Sequence, residues 1–598
     1  MKYMIMIQII TKYFQICRKL FAVQMLIAIS LTSPAQSPMF TTNAIAMDGE
    51  QYLLANKGTK SVNVINKSGT TLKKWVFDQP VTGLCKGKKT IYVTSSYDKG
   101  WLTAIDLLAG KILYKKETGM GARAPLLNKD GSRIYILNQF KTTVSEVEAL
   151  SGKVLRETKV LREPVAGAMT PDGKYLFVNN FLPEQRSDVD TVTAEVSVID
   201  LADFKVVKNI KLSNGSNALH GICSSTDGKY IYVSHNLGRF QVPTSQLHQG
   251  WMNTSAVSII DVPTLSFLGS LLLDEPDRGA AGIWGLSCTD DQLFVAHSGT
   301  HDISIIDQKA MREKLEKYPE KKNLSFDLRF MYDIRQRLPM VGNGPRDIYI
   351  RDGKLYIPTY FSDTLNIVNI ATQEVSTIAY NPKRVESPAN IGEKVFNDAS
   401  YCYQNWQSCN GCHPGDARTD GMNWDLMNDG IGNSKNCKSL LYSHVTPPSM
   451  ISGIRATAEL AVRAGFKFIQ FYDSDPKLAE YVDVYLKSLR PLPSPFLVNG
   501  TLSENAIKGR KVYEDLECGS CHSGPYYTDM QMHRIGDNVE FEAGWDTPTL
   551  IEVWRSAPYL YNGRATTLKE VFSTYKHDIT DKVTEKEIDD LVEYVNSL

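Results

Sequence analysis

Thr226-Asp-Gly-Lys-Tyr230-Ile-Tyr-Val-Ser-His235, followed by Val257-Ser-Ile-Ile-Asp261, decides the fold of the first two thirds of the chain. Asp-Gly supplies the positive φ that a tight hairpin turn requires, and the alternating apolar residues after it fit a strand. The unit recurs at Met47-Asp-Gly-Glu50, Lys129-Asp-Gly-Ser132, Pro171-Asp-Gly-Lys174, Thr289-Asp-Asp-Gln292 and Arg351-Asp-Gly-Lys354. A companion strand follows each hairpin, and seven such strands start at Val62, Leu102, Val144, Val196, Val257, Ile303 and Leu365. Their spacings are 40, 42, 52, 61, 46 and 62 residues. A period just above 40, stretched by insertions, predicts four-stranded blades, about seven of them, over residues 38–383.

Outward from this region the pattern changes on both sides. Upstream, Lys12, Arg18 and Lys19 precede an apolar run from Leu20 to Leu31 and the small-residue context Ser33-Pro-Ala35-Gln36. About a dozen apolar residues fall short of the roughly 20 a spanning helix needs, so 1–36 is expected to be a cleaved export signal. The expected location is the periplasm or another exported compartment, with no transmembrane span in the mature chain. The 66 basic residues balance 66 acidic ones, which excludes a charge-driven nucleic-acid or anionic-lipid partner.

Downstream of Pro382 the chain turns helical and duplicates itself. Gly392-Glu-Lys-Val-Phe396 precedes Cys409-Asn-Gly-Cys412-His413, and Gly509-Arg-Lys-Val-Tyr513 precedes Cys518-Gly-Ser-Cys521-His522. Each copy closes on a similar helix, ending at Leu489 and Leu598, and a Pro-rich linker at 491–500 divides 384–490 from 501–598. Cys-x-x-Cys-His is the sequence of covalent haem attachment. Cysteines three apart share a helical face and reach one edge of the macrocycle, and the next residue turns its imidazole under the iron. The expected cofactors are two covalently bound haem c, with His413 and His522 as proximal ligands. The fold class is multidomain β + α: an N-terminal, about seven-bladed propeller followed by two tandem α-helical cytochrome c domains.

The blades resemble the YVTN-type propeller family, through Tyr232-Val-Ser-His235 and Tyr92-Val-Thr-Ser95. The helical part resembles the di-haem cytochrome c peroxidase superfamily, which includes bacterial peroxidases and the enzyme that matures methylamine dehydrogenase. The resemblance rests on Asp546-Thr-Pro-Thr-Leu550 and on Ala557-Pro-Tyr-Leu-Tyr561-Asn-Gly-Arg-Ala-Thr-Thr-Leu568. It implies a peroxide-reactive first haem, a second haem relaying electrons from a redox partner protein, and a propeller that docks the partner or substrate; relatives often act as dimers. Where the family has His-Asp, this chain has Tyr561-Asn562, which puts peroxidase turnover in question and makes Tyr561 a candidate catalytic residue. Tyr575 stands where simple peroxidases place an axial methionine, as in the maturation-enzyme branch, with His577 as a competing ligand. At the first haem, His444 and Met450 are the candidate distal ligands. His444 or Glu459 could serve as acid or base, and Trp424 as an electron relay.

Other features leave alternatives open. His220, His235, His297 and His301 gather in blades five and six, where a metal or substrate site is one reading and ordinary strand-end polar residues the other. The insertions Phe181–Asp190 and Arg239–Asn253 are expected to project as binding loops. Cys223 and Cys288 fit buried thiols, and an exported Cys402–Cys437 pair could form a disulfide. The same residues also fit a non-catalytic electron-transfer cytochrome with a binding propeller, or a redox site on the propeller whose electrons leave through the haems.

Overall fold

The computed structural model describes residues 37–241, 252–426, 432, 434–535 and 542–598, so the expected export signal lies outside the described residues. Seven antiparallel blades occupy residues 42–76, 81–117, 122–159, 164–211, 216–272, 283–339 and 349–379, six of them four-stranded and the fifth with its innermost strand split into Ser216–Asn217 and Ile222–Ser224. Each of the seven strands named from the sequence falls in the third strand of a different blade. The Asp-Gly turns behave as their chemistry demands: Gly173 and Gly228 have φ of 74° and 69°. The preceding aspartates accept from Thr170 Oγ1 and Lys174 N, and from Ser225 Oγ and Lys229 N, which fixes each turn.

The stretched periods also find their causes. Blade four carries the 181–194 loop between its middle strands, and blade five a long connection between its own. Blade six inserts the Gln308–Glu316 helix, capped by Asp307, before its last strand. Second and third strands are buried on both faces, as in Leu53, Leu54, Val62 and Val64, whereas fourth strands such as Thr71–Val76 are mostly exposed. Innermost strands are irregular in register, at residues 42–44, 81–83, 123–126, 164–166 and 283–286. The ring closes where Asp363 of blade seven accepts from the backbone of Phe40 and Thr41, and where Ser37–Pro38 pairs in parallel with Arg384–Val385.

After a short connection the chain becomes helical. The Pro388–Asn397 helix packs against Pro476–Ser488, and Glu504–Asp515 against Glu585–Asn596. A glycine stands at each crossing. A Cβ on Gly392 would lie 1.9 Å from the Tyr481 carbonyl oxygen, and one on Gly509 1.8 Å from that of Asp590. Only glycine permits that approach.

The helical part sits on one face of the propeller, held by a chain of buried opposite charges. Glu163 of the propeller takes two bonds from Arg555, at 3.1 Å each. Glu552, also contacted by Arg555, takes two more from Arg418, at 2.8 and 3.0 Å. Arg162 donates to the carbonyls of Ala557 and Arg555, and His301 Nε2 meets Asp398 at 3.1 Å. The loop expected to project as a binding arm grips its own chain instead: Ser187 bonds Asn423 and Gly563. Because Arg555 is 6% exposed, Glu163→Ala removes its two close carboxylate bonds and leaves it only the longer Glu552 contact at 3.7 Å, at a cost of about 3 kcal/mol. The expected outcome is a lowered unfolding midpoint and faster limited proteolysis between propeller and helical part; unchanged proteolysis would contradict this role.

Candidate haem-binding sites

Both Cys-x-x-Cys-His segments fold into the same short turn, Cys409–Gly411 and Cys518–Ser520. His413 N donates to the Cys409 carbonyl at 3.0 Å and His522 N to that of Cys518 at 2.9 Å. Each imidazole places Nδ1 3.2 Å from a backbone carbonyl five residues on, Arg418 or Tyr527. That contact orients the ring and leaves Nε2 for a metal, the arrangement expected of a ligating histidine. Burial depresses the proton affinity of both, His413 to about 4, so they are neutral imidazoles at physiological pH. The cysteines, the tautomer and the burial all fit a covalently held haem.

The surroundings of the two sites differ. At the second, the His522 and His577 ring centroids are 6.4 Å apart and the rings are tilted by 54°. Two metal–nitrogen bonds of about 2 Å plus the two ring radii span about 6 Å, so one metal ion fits between the rings. Tyr575 points elsewhere: its hydroxyl donates to the Arg564 carbonyl at 2.9 Å, and the Arg564 guanidinium covers its ring at 4.5 Å. Tyr561 stacks on Trp545 at 4.4 Å, and its carbonyl accepts from Asn436 N.

The first site lies against the propeller. Asn253 Nδ2, from blade five, is 3.2 Å from Cys412 Sγ, and Gln470 Nε2 is 3.8 Å from Cys409 Sγ. Trp424 and Met422 wedge under Gly238, and Trp424 Nε1 donates to Asp420 at 2.8 Å. Trp424 therefore anchors the interface as well as neighbouring the site. Cys402 and Cys437 are unpaired, which corrects the expected disulfide: Cys402 packs beside Trp406, and Cys437 Sγ contacts the Cys412 carbonyl at 3.1 Å and His413 Nδ1 at 3.5 Å.

His444 is not free to be a distal ligand or base, because Asp483 holds its Nε2 at 2.9 Å and Ser443 Oγ its Nδ1 at 3.2 Å. Glu459 pairs with Lys487 at 2.7 Å near the surface, and that bond lowers its pKa to about 2. It is an ionised helix-start carboxylate rather than an acid. Met450 occupies a left-handed turn with φ 72°, matched in the second copy by Leu560 at 71°. The segment corresponding to Tyr575 and His577 is Gly465–Ile469, a single π turn. A Cβ on Gly465 would meet nothing within 4 Å, so open space lies there.

The four propeller histidines do not act together. His235 bonds Ser258 and the Asn236 carbonyl, and His297 bonds Ser304 and the Ala280 carbonyl, each inside its own blade. His301 belongs to the docking contacts. His220 alone differs, stacking on Trp284 at 3.9 Å. Sequence reasoning missed Asn253, which neighbours the first site only through docking, and Asp420 and Gln470, which the fold of the same helical unit brings there. The signal for Asp420 was its place in Asp420-Gly-Met-Asn-Trp424.

Asp420 is fully buried, and burial raises its pKa from 3.8 to about 7. Between about pH 4 and 7 the folded protein therefore binds a proton that the unfolded chain has lost, and stability falls as pH rises through that window. The melting temperature of the haem-loaded wild type relative to Asp420→Asn is expected to fall from pH 5 to 7.5. A flat difference would show that Asp420 titrates normally.

No family model matches the chain. It is 27% identical to hydrazine synthase subunit gamma of Kuenenia stuttgartiensis, over 35% of this chain and 76% of that protein. It is 25% identical to hydrazine synthase subunit beta of the same organism, over 34% of this chain and about half, 52%, of that subunit. Methylamine utilization protein MauG of Methylophilus methylotrophus is 22% identical over 36% of this chain and 84% of its own. Among solved structures, Kuenenia stuttgartiensis hydrazine synthase aligns with a TM-score of 0.52 and 19% identity, covering 57% of this chain and 99% of that one, a likeness of fold.

Proposed function

We propose that this chain is an exported two-haem oxidoreductase of the peroxidase-like kind. In this reading 384–490 and 501–598 are two cytochrome c domains, the Cys409–His413 site reacts with a small oxidant such as peroxide, and the second site passes electrons from a redox partner protein. The observation that carries it is the contrast between the sites. The His522 and His577 rings stand 6.4 Å apart, a separation at which both could hold one metal ion, whereas at the first site the candidate histidine is tied to Asp483. The three curated relatives support a redox role.

When bound, haem iron supplies one-electron redox chemistry and, where an axial position is open, a place for a small ligand. The rest is the chain's work. Cys409, Cys412 and His413 would hold the first group, and Cys518, Cys521, His522 and His577 the second. The Arg418 and Tyr527 carbonyls fix the two proximal rings. Two nitrogen ligands favour an electron-transfer centre, and burial against blade five keeps bulk water from the first site. The likeness to two hydrazine synthase subunits favours a second choice of substrate, a small nitrogen compound, with the same division of labour.

Electron paramagnetic resonance of the haem-loaded protein tests this directly. One low-spin signal and one high-spin ferric signal are expected, with peroxide bleaching only the latter; hydrazine acting in its place would select the second substrate class. Two low-spin signals insensitive to both would leave an electron carrier. His577→Ala is expected to abolish the low-spin signal and Tyr575→Phe to leave it intact. The reverse result would reassign the ligand to Tyr575.

A further inference from the structure

The seven innermost strands bring their first residues to the propeller axis, on the face that the helical part covers. There His220 of blade five stacks on Trp284 of blade six. The guanidinium of Arg346, leading into blade seven, lies 4.1 Å from the Trp284 ring and 3.7 Å from that of Tyr360. Arg123, on the inner strand of blade three, lies close enough to His220 to join Arg346 in disfavouring its protonation, though burial dominates that effect. From the helical side, Asp416 enters and binds Lys57 Nζ at 3.0 and 3.3 Å.

Solvent reaches one side of this recess. The Lys57 and Asp416 side chains keep 39% and 61% of their surface accessible although protein surrounds them. Its carboxylates are engaged elsewhere, and none of them directly pairs with Arg123 or Arg346. Asp416 is engaged by Lys57, and Glu393 accepts from the Tyr360 hydroxyl while burial raises its pKa. Arg123 bonds only the Gln139 side-chain oxygen, at 2.7 Å, and its Nε is buried without a partner. Arg346 bonds Ser298 Oγ and Asn397 Oδ1 at 3.3 and 3.4 Å. Among the described residues neither guanidinium has a carboxylate within 4 Å. Glu163 and Asp416 act on Arg123, and Glu393 on Arg346, only from beyond ion-pair distance, so neither fork has a direct carboxylate partner, and a planar, bidentate anion is the group that a guanidinium fork accommodates.

We propose that this recess on the propeller axis binds a small carboxylate anion through Arg123 and Arg346. The aromatic rings hold Arg346 in place rather than contacting the ligand, since His220 and Arg346 both cover Trp284. Lys57 and Asp416 line the water-accessible side. The assignment is independent of which oxidant reacts at the first haem site.

Isothermal titration calorimetry of the haem-loaded full chain at low ionic strength, with succinate and separately with inorganic phosphate, tests the assignment. Saturable succinate binding is expected, weakened about tenfold or more by Arg123→Gln and by Arg346→Gln. Arg346→Lys, which keeps the charge but loses the fork, is expected to weaken binding less than Arg346→Gln. Because Arg346 also packs against aromatic rings, melting curves accompany each variant, and Arg123→Gln carries the test if Arg346 variants unfold. Phosphate binding without succinate binding would overturn the carboxylate assignment. Absence of binding by either, or binding indifferent to Arg123→Gln, would overturn the site itself.

Discussion

The run Glu163–Arg555–Glu552–Arg418 is the constraint on which the rest of the molecule depends. It alternates sign through the buried seam, starting on the propeller, crossing the second helical unit and ending in the first. Each member compensates its neighbour's desolvation, so removing any one weakens the compensation of the next. The last residue also presents the carbonyl that orients His413. The orientation of the His413 ring is thus linked to a run of ion pairs whose far end lies in a β-blade.

The two helical units share one plan and have diverged in use. Both cross their terminal helices at a glycine, cap their first helix with a serine and hold the histidine of the Cys-x-x-Cys-His segment on a carbonyl five residues away. The divergence lies after the Thr457 and Thr567 caps. One unit winds a π turn around open space, and the other brings a second imidazole opposite the first. A π turn adds a residue to the helical ladder and commonly marks a functional position. Duplication supplied two equivalent pockets, and these few residues made them unequal.

Much of this was legible before any coordinates. Asp-Gly turns and third-strand spacing are local signals, and they located all seven blades. The haem pentapeptides are local too, and His577 was in view as a candidate. That Tyr575 turns to Arg564 while His577 comes near His522 was not legible, because it depends on where the Arg564 carbonyl and guanidinium lie. His444 misled for a similar reason: its partner Asp483 sits 39 residues away on another helix. The pairing of Cys402 with Cys437 failed because docking buries one beside Trp406 and turns the other toward His413. Contacts across the seam, such as Lys57 with Asp416, join residues 359 apart and leave no periodic trace in the chain.

The connection between blade seven and the first helix has a consequence of its own. Only residues 380–387 separate the Val375–Ala379 strand from the Pro388–Asn397 helix, and part of that stretch is tied down by pairing with Ser37–Pro38. A tether so short holds the two halves at an effective concentration in the millimolar range or above. The seam therefore does not have to be a strong bimolecular interface: a contact too weak to hold separate subunits together would still be nearly always closed here. Such a protein can give up interface residues to ligand chemistry, as separate subunits could not without risking dissociation.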